Sequence, residues 1–364
     1  MLNDQNLIAL GWGPFFQGAW AEWEPHGYKK ARVATQVRSH FFVAFGGGDT
    51  RPARTSGRMR HHAASLAEMP VVGDWVAVED PPGGGQVVIH GVLPRRTRFS
   101  RKTVGVKSEE QVLVSNIDTV FLVMGLDGDY NQRRLERYLA TAYESGASPL
   151  VVLNKCDVSP DLKNDLEECR ANAPGCDVAA ISATEGTGVK ALKKYLEPGK
   201  TVVLLGSSGA GKSTLANRLL GEEVQAVQEV GGTLDRGRHT TVSRQMFRLP
   251  GGALLIDTPG LREIQLWDAG AGVDEAFSDI IELASGCRFR DCRHAAEPGC
   301  AVKAAVETGG LSEERWVSYL KLKKELAYLD RRVDRKAAQE HAKHMKSISQ
   351  QIKKMPKRGR TPRG

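Results

Sequence analysis

Gly206-Ser207-Ser208-Gly209-Ala210-Gly211-Lys212-Ser213-Thr214 reads G-x-x-x-x-G-K-[ST], a complete phosphate loop. The apolar run Thr201 to Leu205 comes directly before it and predicts a buried strand. A helix is expected to begin at Lys212, so that its positive end and the backbone N–H groups of the loop meet phosphate oxygens. The alternative is a glycine-rich turn without a ligand, and the complete motif after an apolar strand argues against it.

A second motif lies upstream, at the end of another apolar run. Asn154-Lys155-Cys156-Asp157 reads N-K-x-D, and Ser182-Ala183 follows the next predicted strand. The Asp157 carboxylate could accept hydrogen bonds from the N1–H and the exocyclic amine of guanine, a pair of donors that adenine lacks. We expect the Lys155 stem to lie along the ring and Asn154 to tie this segment to the phosphate loop. The Ser182-Ala183 segment could donate a backbone N–H to guanine O6.

The order of these motifs is unusual. Asp257-Thr258-Pro259-Gly260 reads D-x-x-G and comes last, whereas an ordinary GTPase runs phosphate loop, D-x-x-G, N-K-x-D, S-A. Each motif nonetheless follows a predicted strand, and the carboxyl ends of parallel strands meet at the edge of a sheet where ligands bind. The sequence therefore predicts a guanine-nucleotide domain whose base-reading half precedes its phosphate-reading half.

The same motifs suggest which residues act on the phosphates. Lys212 should reach the β and γ phosphates, and Ser213 should ligate Mg²⁺ through its hydroxyl. Asp257 should hold Mg²⁺ through a water, and the Gly260 N–H should contact the γ-phosphate. A threonine should close over the metal and the γ-phosphate; Thr241 is the first choice and Thr240 the second.

The group that orients the attacking water is less obvious. Leu261 follows D-x-x-G at the position where Ras-type GTPases use glutamine, and leucine cannot orient a water. His239, next to the two threonines, could supply this role as a catalytic residue. A solvent-facing loop histidine is the competing interpretation, and a group from a partner is a third.

Cys287, Cys292, His294 and Cys300 form C-x4-C-x-H-x5-C. Three thiolates and an imidazole make a complete tetrahedral Zn²⁺ set with no open position, which is typical of a structural site. Packed cysteines beside a surface histidine are the alternative. Arg288, Arg290 and Arg293 interleave with these residues and could either contact phosphates or remain solvated.

Composition places the chain among soluble globular proteins. It has 364 residues, 41% apolar and 26% charged, and no apolar run approaches the ~18 residues of a membrane span. Its amino terminus does not resemble a secretory signal, and three of its six cysteines crowd into residues 287–300, which favours metal over disulfides. We therefore expect a cytoplasmic protein without membrane contact, acting as a monomer.

The positive charge is unevenly distributed. The net charge is +8, but residues 331–364 carry twelve Lys/Arg against two acidic residues, so residues 1–330 have a net charge of −2. A second basic group is Arg95, Arg96, Arg98, Arg101, Lys102 and Lys107, with no acidic residue between 93 and 107. Two basic regions flanking a nucleotide-binding core suggest a polyanion partner, although such a tail is often merely solvated and disordered.

The order of predicted elements gives the domain organisation. Short β-prone runs separated by Gly and Pro predict a small barrel or sandwich over 31–105, after an extension of residues 1–30. Strands and helices alternate over 106–266, as expected of a mostly parallel α/β sheet. Helices surround the Cys/His cluster over 267–330, and the basic tail of 331–364 is too polar to pack.

In combination, the motif order, the Arg238-His239-Thr240-Thr241 loop, the β-rich amino-terminal part and the Cys/His element resemble the RsgA family, the ribosome small-subunit-dependent GTPase A proteins. The resemblance covers roughly 31–330. It implies an OB-fold barrel that contacts ribosomal RNA, a circularly permuted P-loop GTPase and a helical zinc domain. It also implies late maturation of the 30S subunit with its 16S rRNA, and weak GTP hydrolysis to GDP and phosphate that the subunit stimulates.

Two other functions remain to be distinguished. One is a permuted GTPase that acts on the large subunit, against which the barrel and the cysteine cluster argue. The other is a zinc-dependent RNA-binding protein with a purely structural nucleotide, which would not need Lys212, Ser213 and Asp257 together. The permutation also connects D-x-x-G directly to the zinc domain, so we expect GTP to hold both RNA-binding flanks in a clamp that GDP releases.

Overall fold

The computed structural model describes residues 4–46, 48–102, 110–221, 243–257, 270–295 and 297–328. Within these ranges the strands form a barrel and a mostly parallel sheet, and helices follow at the carboxyl-terminal side. This confirms the predicted multidomain α/β fold class, with an OB-like barrel, a permuted GTPase sheet and a helical part that carries the Cys/His cluster. None of the helices described is long and apolar enough to cross a bilayer.

The amino-terminal segment packs onto the barrel instead of leaving it bare. It forms helices α1 (Asp4–Ile8) and α2 (Pro14–Trp20) and a 3₁₀ turn, Glu24–His26. Trp12, Phe16 and Trp20 are buried around Trp75 of the barrel, and the Trp12 ring meets Trp75 edge-on at 4.7 Å. These aromatic side chains bury a large apolar area, which explains why a short segment stays attached.

Five strands close the barrel. They are β1 (Lys29–Val37), β2 (His40–Ala44), β3 (Thr50–Thr55), β4 (Trp75–Glu79) and β5 (Val87–Val92). Their order is β1-β2-β3-β5-β4, and β4 pairs again with β1; only the β3–β5 pair among these is parallel. Buried and half-buried residues alternate along β5, as expected when one face of a strand points into a core.

Strand β3 was missed by the sequence analysis. Its sequence, Thr-Arg-Pro-Ala-Arg-Thr, lacks apolar alternation, and Pro52 argues against a strand. The residues of β3 have low strand propensity, and backbone pairing with β2 on one side and β5 on the other stabilises the strand. Helix α3 (Gly57–His62) follows, capped by Ser56, whose Oγ accepts the Met59 N–H at 3.0 Å, and a 3₁₀ turn covers Leu66–Glu68.

Arg32 on β1 joins three parts of the molecule. It is 1% exposed, and it donates to the carbonyl oxygens of Leu10 at 2.5 Å, Gly73 at 3.1 Å and Asn116 at 3.0 Å. Burial lowers the pKa of Arg32 to about 10, so the guanidinium stays charged at neutral pH. Arg32 therefore connects the amino-terminal helices, the barrel and the segment that enters the GTPase sheet.

Six strands of the GTPase sheet lie within the described residues. They are β8 (Thr119–Gly125), β9 (Ser148–Asn154), β10 (Asp177–Ala180), β11 (Thr201–Gly206), β12 (Ser243–Arg248) and β13 (Leu254–Asp257). Their order is β10-β9-β8-β11-β13-β12, with β12 alone antiparallel to its neighbour β13. The far edge of β12 pairs with β1, so the sheet continues into the barrel. A separate hairpin, β6 (Arg98–Lys102) with β7 (Glu110–Ser115), precedes β8.

Helices flank this sheet. They are α4 (Gln132–Glu144), α5 (Leu162–Asn172) and α6 (Lys212–Leu220), with 3₁₀ helices at Cys156–Val158 and Val189–Tyr195. Asn131 and Asp161 cap α4 and α5, each accepting a backbone N–H through a side-chain oxygen. The predicted strands and helices of this region are confirmed, but the sequence analysis did not predict β6, β7 or β12.

Four described helices follow toward the carboxyl terminus, and the first and last of them contact α4. They are α7 (Gly270–Ala276), α8 (Ser278–Ser285), α9 (Ala301–Glu307) and α10, which covers 313–328. Gly272 lets α7 approach α4 closely, because a Cβ there would lie 2.1 Å from the Ala140 carbonyl oxygen. These helices are therefore packed against the GTPase sheet and are not merely tethered to it.

A buried ion-pair network fixes the position of α10. Arg315 is 3% exposed; it makes two 2.7 Å hydrogen bonds to Asp279 and one of 3.4 Å to Glu136 on α4. Ser318 also donates to Glu136, and burial raises the pKa of that carboxyl. Since Glu136 is fully buried, removing its cationic partner would leave a costly unpaired charge.

Candidate functional site

The structure brings the motifs to one edge of the GTPase sheet. N-K-x-D begins with the last residue of β9, Ser182 comes shortly after β10, the phosphate loop begins with the last residue of β11, and Asp257 ends β13. These strands are parallel, so their carboxyl ends lie on the same side. Strands that are distant in sequence thus build a single candidate site.

The phosphate loop has the backbone that its motif predicts. The Lys212 ammonium donates to the carbonyl oxygens of Gly206, at 2.8 Å, and of Ser207. Gly211 has φ +89°, and a Cβ there would lie 2.2 Å from the Asn154 amide nitrogen. Helix α6 begins at Lys212, so its amino terminus faces the loop. Ser208, Gly209, Ser213 and Thr214 are exposed.

Asn154 connects the base-reading and phosphate-reading halves. Its side chain is buried, its Nδ2 donates to the Ala210 carbonyl oxygen at 2.9 Å, and its Oδ1 accepts the Ala183 N–H at 2.9 Å. The N-K-x-D motif predicts the bond to the phosphate loop but not the second bond. Because one amide spans three loops, their relative positions are set before any ligand binds.

The other residues of N-K-x-D lie close by. Lys155 adopts a left-handed conformation, with φ 64°, and its ammonium donates to Asp127. That hydrogen bond lowers the pKa of Asp127. The Cys156 N–H donates to the Ile181 carbonyl oxygen at 3.0 Å, and burial raises the pKa of its thiol, which disfavours the thiolate. Asp157 is exposed, so its carboxylate is accessible to a ligand.

Two supporting residues were missed by the sequence analysis. Asp129, after β8, accepts the Ser207 hydroxyl at 2.5 Å and a guanidinium N–H of Arg134 at 2.8 Å. Arg218 on α6 donates to the carbonyl oxygens of Ala183, at 3.0 Å, and of Thr184. An acidic residue at the end of a central parallel strand was the available signal for Asp129. For Arg218 the sequence held none, since its partners are backbone atoms.

Several predicted residues cannot be placed. Asp257 is exposed at the end of β13, where its backbone pairs with Gln245 on β12. The residues expected to act on magnesium, water and the γ-phosphate from the two neighbouring loops lie outside the described residues: His239, Thr240, Thr241, Gly260 and Leu261. Their roles therefore stay predictions.

The Cys/His cluster has the dimensions of a tetrahedral metal centre. The ligand atoms of Cys287, Cys292, His294 and Cys300 all lie within 4.8 Å of one another. His294 Nδ1 is 3.5 Å from the Cys287 sulfur and 3.4 Å from the Cys300 sulfur, and these sulfurs are 4.0 Å apart. Zn–S and Zn–N bonds of about 2.3 and 2.0 Å give tetrahedral edges of about 3.8 Å between sulfurs and about 3.5 Å between sulfur and nitrogen. The donor set therefore fits zinc.

The cluster is fixed against α10. His294 has φ 58°, and its ring lies edge-on to Trp316 with centroids 5.7 Å apart. The Cys300 sulfur caps α9 by accepting the Lys303 N–H at 3.4 Å. Arg288, Arg290 and Arg293 between the ligands are exposed, so their predicted contact with phosphates remains sterically possible.

Three of the six residues in the basic run after residue 93 pair with carboxylates from other parts of the chain. Arg95 forms a two-pronged pair with the buried Asp74, at 2.8 Å for each bond. Arg96 pairs with Asp118 at 2.6 Å, and Arg98 pairs with Glu110 at 3.1 Å. The absence of acidic residues within the run was therefore misleading, because the partners come from other strands.

A P-loop sheet whose N-K-x-D strand precedes the phosphate-loop strand in the chain defines a circularly permuted GTPase. The sequence model of the RsgA GTPase family matches residues 92–267. A small ribosomal subunit biogenesis GTPase RsgA from Opitutus terrae is 48% identical, covering 94% of this chain and 96% of its own length. The protein of the same name from Streptomyces coelicolor is 44% identical, over 94% and 93%. The chain belongs to the RsgA GTPase family.

Solved structures agree with this assignment. The crystal structure of YjeQ from Thermotoga maritima superposes with a TM-score of 0.60 at 26% identity, covering 82% of this chain and 98% of that one. The crystal structure of YloQ, a circularly permuted GTPase, gives a TM-score of 0.60 at 22% identity, over 84% and 96%, and supports the fold. The protein is accordingly an enzyme that hydrolyses GTP.

Proposed function

We propose that the protein is a GTP-hydrolysing assembly factor that acts late in maturation of the 30S ribosomal subunit, contacts its 16S rRNA and is stimulated by the subunit. The observation that carries the proposal is the Asn154 side chain, which joins base-reading and phosphate-reading loops in one site. The relatives named for small ribosomal subunit biogenesis supply the subunit. We also retain the domain limits at 30/31, 105/106, 266/267 and 330/331, the monomeric state and the cytoplasmic location as part of this proposal.

We infer that guanine is read by the exposed Asp157 carboxylate, with the Lys155 stem along the ring. The Ala183 N–H donates to Asn154 Oδ1. If it also donates to guanine O6, the two oxygens must share this one N–H group. Arg218 fixes the backbone around that N–H, because its guanidinium donates to the carbonyl oxygens of Ala183 and Thr184. Arg218 lies on α6, the helix that starts at the phosphate loop, so the same helix helps to position the proposed base pocket.

For the phosphates, we assign Lys212 to the β and γ oxygens and the amide groups of residues 206–214 to the cradle. Ser213 and Thr241 would hold Mg²⁺, with Asp257 acting through a water. The ion would neutralise charge between the β and γ phosphates. Gly260 would contact the γ-phosphate, and His239 would orient the attacking water that Leu261 cannot.

We assign one structural Zn²⁺ to Cys287, Cys292, His294 and Cys300. When bound, the ion would supply a rigid crosslink with no open coordination position. The residues around it transmit its effect: His294 contacts Trp316, and α10 contacts α4 through Arg315. Zinc thus would stabilise the docking of the carboxyl-terminal helices on the GTPase sheet, a requirement for the proposed clamp.

The test is GTP turnover by the full chain with and without purified small subunits, repeated with large subunits and with ATP. We expect stimulation by small subunits alone and turnover of GTP far above ATP. Equal stimulation by large subunits would favour the alternative function, a permuted GTPase that acts on the large subunit. Turnover that no ribosomal particle changes, with RNA binding retained, would favour the zinc-dependent RNA-binding protein. Affinity for the small subunit that is the same with GTP and GDP would contradict the clamp.

A further inference from the structure

A cavity of about 470 Å³ lies where the barrel meets the GTPase sheet. We call it the arginine cavity, because Arg38 from the β1–β2 turn, Arg54 from β3, Arg60 from α3 and Arg244 from β12 all line it. Among the residues that the structure describes, no aspartate or glutamate lines it. Four guanidinium groups around one cavity without an acidic neighbour create a strongly positive potential.

The four arginines of the cavity differ from three other arginines of the amino-terminal region, which have carboxylate partners. Nearby Arg51, Arg95 and Arg96 each pair with an aspartate. None of the four arginines of the cavity forms an ion pair with any residue in the described ranges. Within the described residues, the fold therefore pairs these three arginines with carboxylates and leaves the four arginines of the cavity without one.

Arg244 shows most clearly that an acceptor is missing. Its Nε is buried and finds no hydrogen-bond partner among the residues the structure describes, while its Nη1 donates to Gln36 Oε1 at 3.3 Å. Burial lowers the pKa of Arg244, and the charge of Arg101 lowers it further. A partly buried guanidinium that no carboxylate neutralises is costly, and an anion beside it in the cavity would offset that cost.

We propose that the arginine cavity binds the phosphate groups of a single-stranded RNA backbone. Arginine forks match phosphate oxygens, and four of them on four separate elements suit successive phosphates better than one compact ion. Met69, Pro70 and the 45%-exposed Leu66 line the same cavity and offer an apolar surface for a sugar or base. The inference rests on the proposed function, which makes RNA the partner.

The arginine cavity lies beside the strand pair that joins the barrel to the GTPase sheet. On β12, Arg244 pairs through its backbone with Gln36 of the barrel, and the next residue, Gln245, pairs with Asp257. An RNA strand in the arginine cavity therefore contacts both the barrel and the strand beside the D-x-x-G aspartate. One binding event would span the junction between the two domains.

The experiment compares two arginines of the same short helix. Arg60 lines the arginine cavity, whereas Arg58 lines a different one, and both side chains are exposed, so glutamine at either position should not disturb folding. Full-length Arg60→Gln, Arg58→Gln and the double variant Arg54→Gln/Arg60→Gln are titrated into a labelled single-stranded RNA, and anisotropy is followed over a salt series. The basic tail is present in every variant, so differences report the substituted side chain.

Loss of one phosphate contact should reduce the slope of log K against log salt by about 0.7, which corresponds to about fivefold weaker binding near 0.1 M salt. We expect this for Arg60→Gln, twice the slope change for the double variant, and no change for Arg58→Gln. Equal effects at positions 58 and 60, or none at either, would overturn the proposal. Displacement of the RNA by millimolar inorganic phosphate would assign the cavity to a free anion instead, and so would also overturn it.

The proposed function is checked separately in the unaltered chain. If small subunits fail to stimulate its GTP turnover, the proposed function is wrong, and the RNA comparison above still decides whether the cavity binds a phosphate backbone. If stimulation is observed but positions 58 and 60 behave alike, only the cavity assignment fails.

Discussion

Replacing Asn154 with alanine should weaken both the fold of the GTPase sheet and its affinity for guanine nucleotide. The substitution strands two buried backbone groups, the Ala210 carbonyl and the Ala183 N–H. Each buried group left without a partner costs about 1–3 kcal/mol, so for the two groups we expect a loss of about 2–6 kcal/mol. For a cooperative unit of about 150 residues, at about 2–4 °C per kcal/mol, this lowers Tm by roughly 4–24 °C.

The two bonds can be separated by the isosteric variant Asn154→Asp. It keeps an acceptor for the Ala183 N–H but replaces the donor to the Ala210 carbonyl with a second acceptor, so the phosphate loop alone is released. Because the phosphate loop must be held for binding, we expect this variant to lose nucleotide affinity by at least about tenfold, or 1.4 kcal/mol. Since it also buries a carboxylate against a carbonyl oxygen, its thermal stability should fall at least as far as that of Asn154→Ala.

The measurements are thermal unfolding followed by circular dichroism and titration with a fluorescent GDP analogue. Asn217→Ala is the matched control, since Asn217 is exposed on the phosphate-loop helix. If Asn154→Ala unfolds within a degree of this control and binds nucleotide normally, Asn154 does not join the two halves of the site and our reasoning is refuted.

Three further predictions follow from other parts of the structure. Asp157→Asn should exchange guanine for xanthine, because an amide donor can meet the oxygen that replaces the exocyclic amine; competition between GTP and XTP measures this, and an unchanged preference would remove Asp157 from the base site. Cys292→Ser should abolish stoichiometric zinc by native mass spectrometry and loosen α10, whereas Cys176→Ser, outside the cluster, should retain the metal; zinc retained in both would contradict the assigned ligands. Arg315→Ala should destabilise the protein by about 3–5 kcal/mol, since it leaves Glu136 buried without its cation. Burial already raises the pKa of Glu136. The stability that Arg315→Ala loses at pH values above the folded-state pKa of Glu136 should therefore be regained as the pH falls toward the pKa of this carboxyl in the unfolded chain. Adding Glu136→Gln should remove this pH dependence from the denaturation curves.

The nucleotide motifs could be recognised in the sequence because each is a local device. A phosphate loop needs glycines and a helix start within nine residues, and a zinc site needs four ligands at short spacing. The strands that deliver N-K-x-D and the phosphate loop are apolar runs, which explains why β9 and β11 were predicted. Strand β3 escaped because its identity depends on partners on both sides and not on its own composition.

By itself, the amino-acid sequence determined the chemistry: guanine-nucleotide motifs in permuted order and a Cys/His cluster whose donor set fits zinc. The tertiary structure decided which charges are available. Arg95 and Arg60 look alike in the sequence, yet one is paired with buried Asp74 and the other lines a cavity without a carboxylate. Ion pairs and strand junctions join residues far apart in the chain, and no local pattern of residues records where such partners will meet.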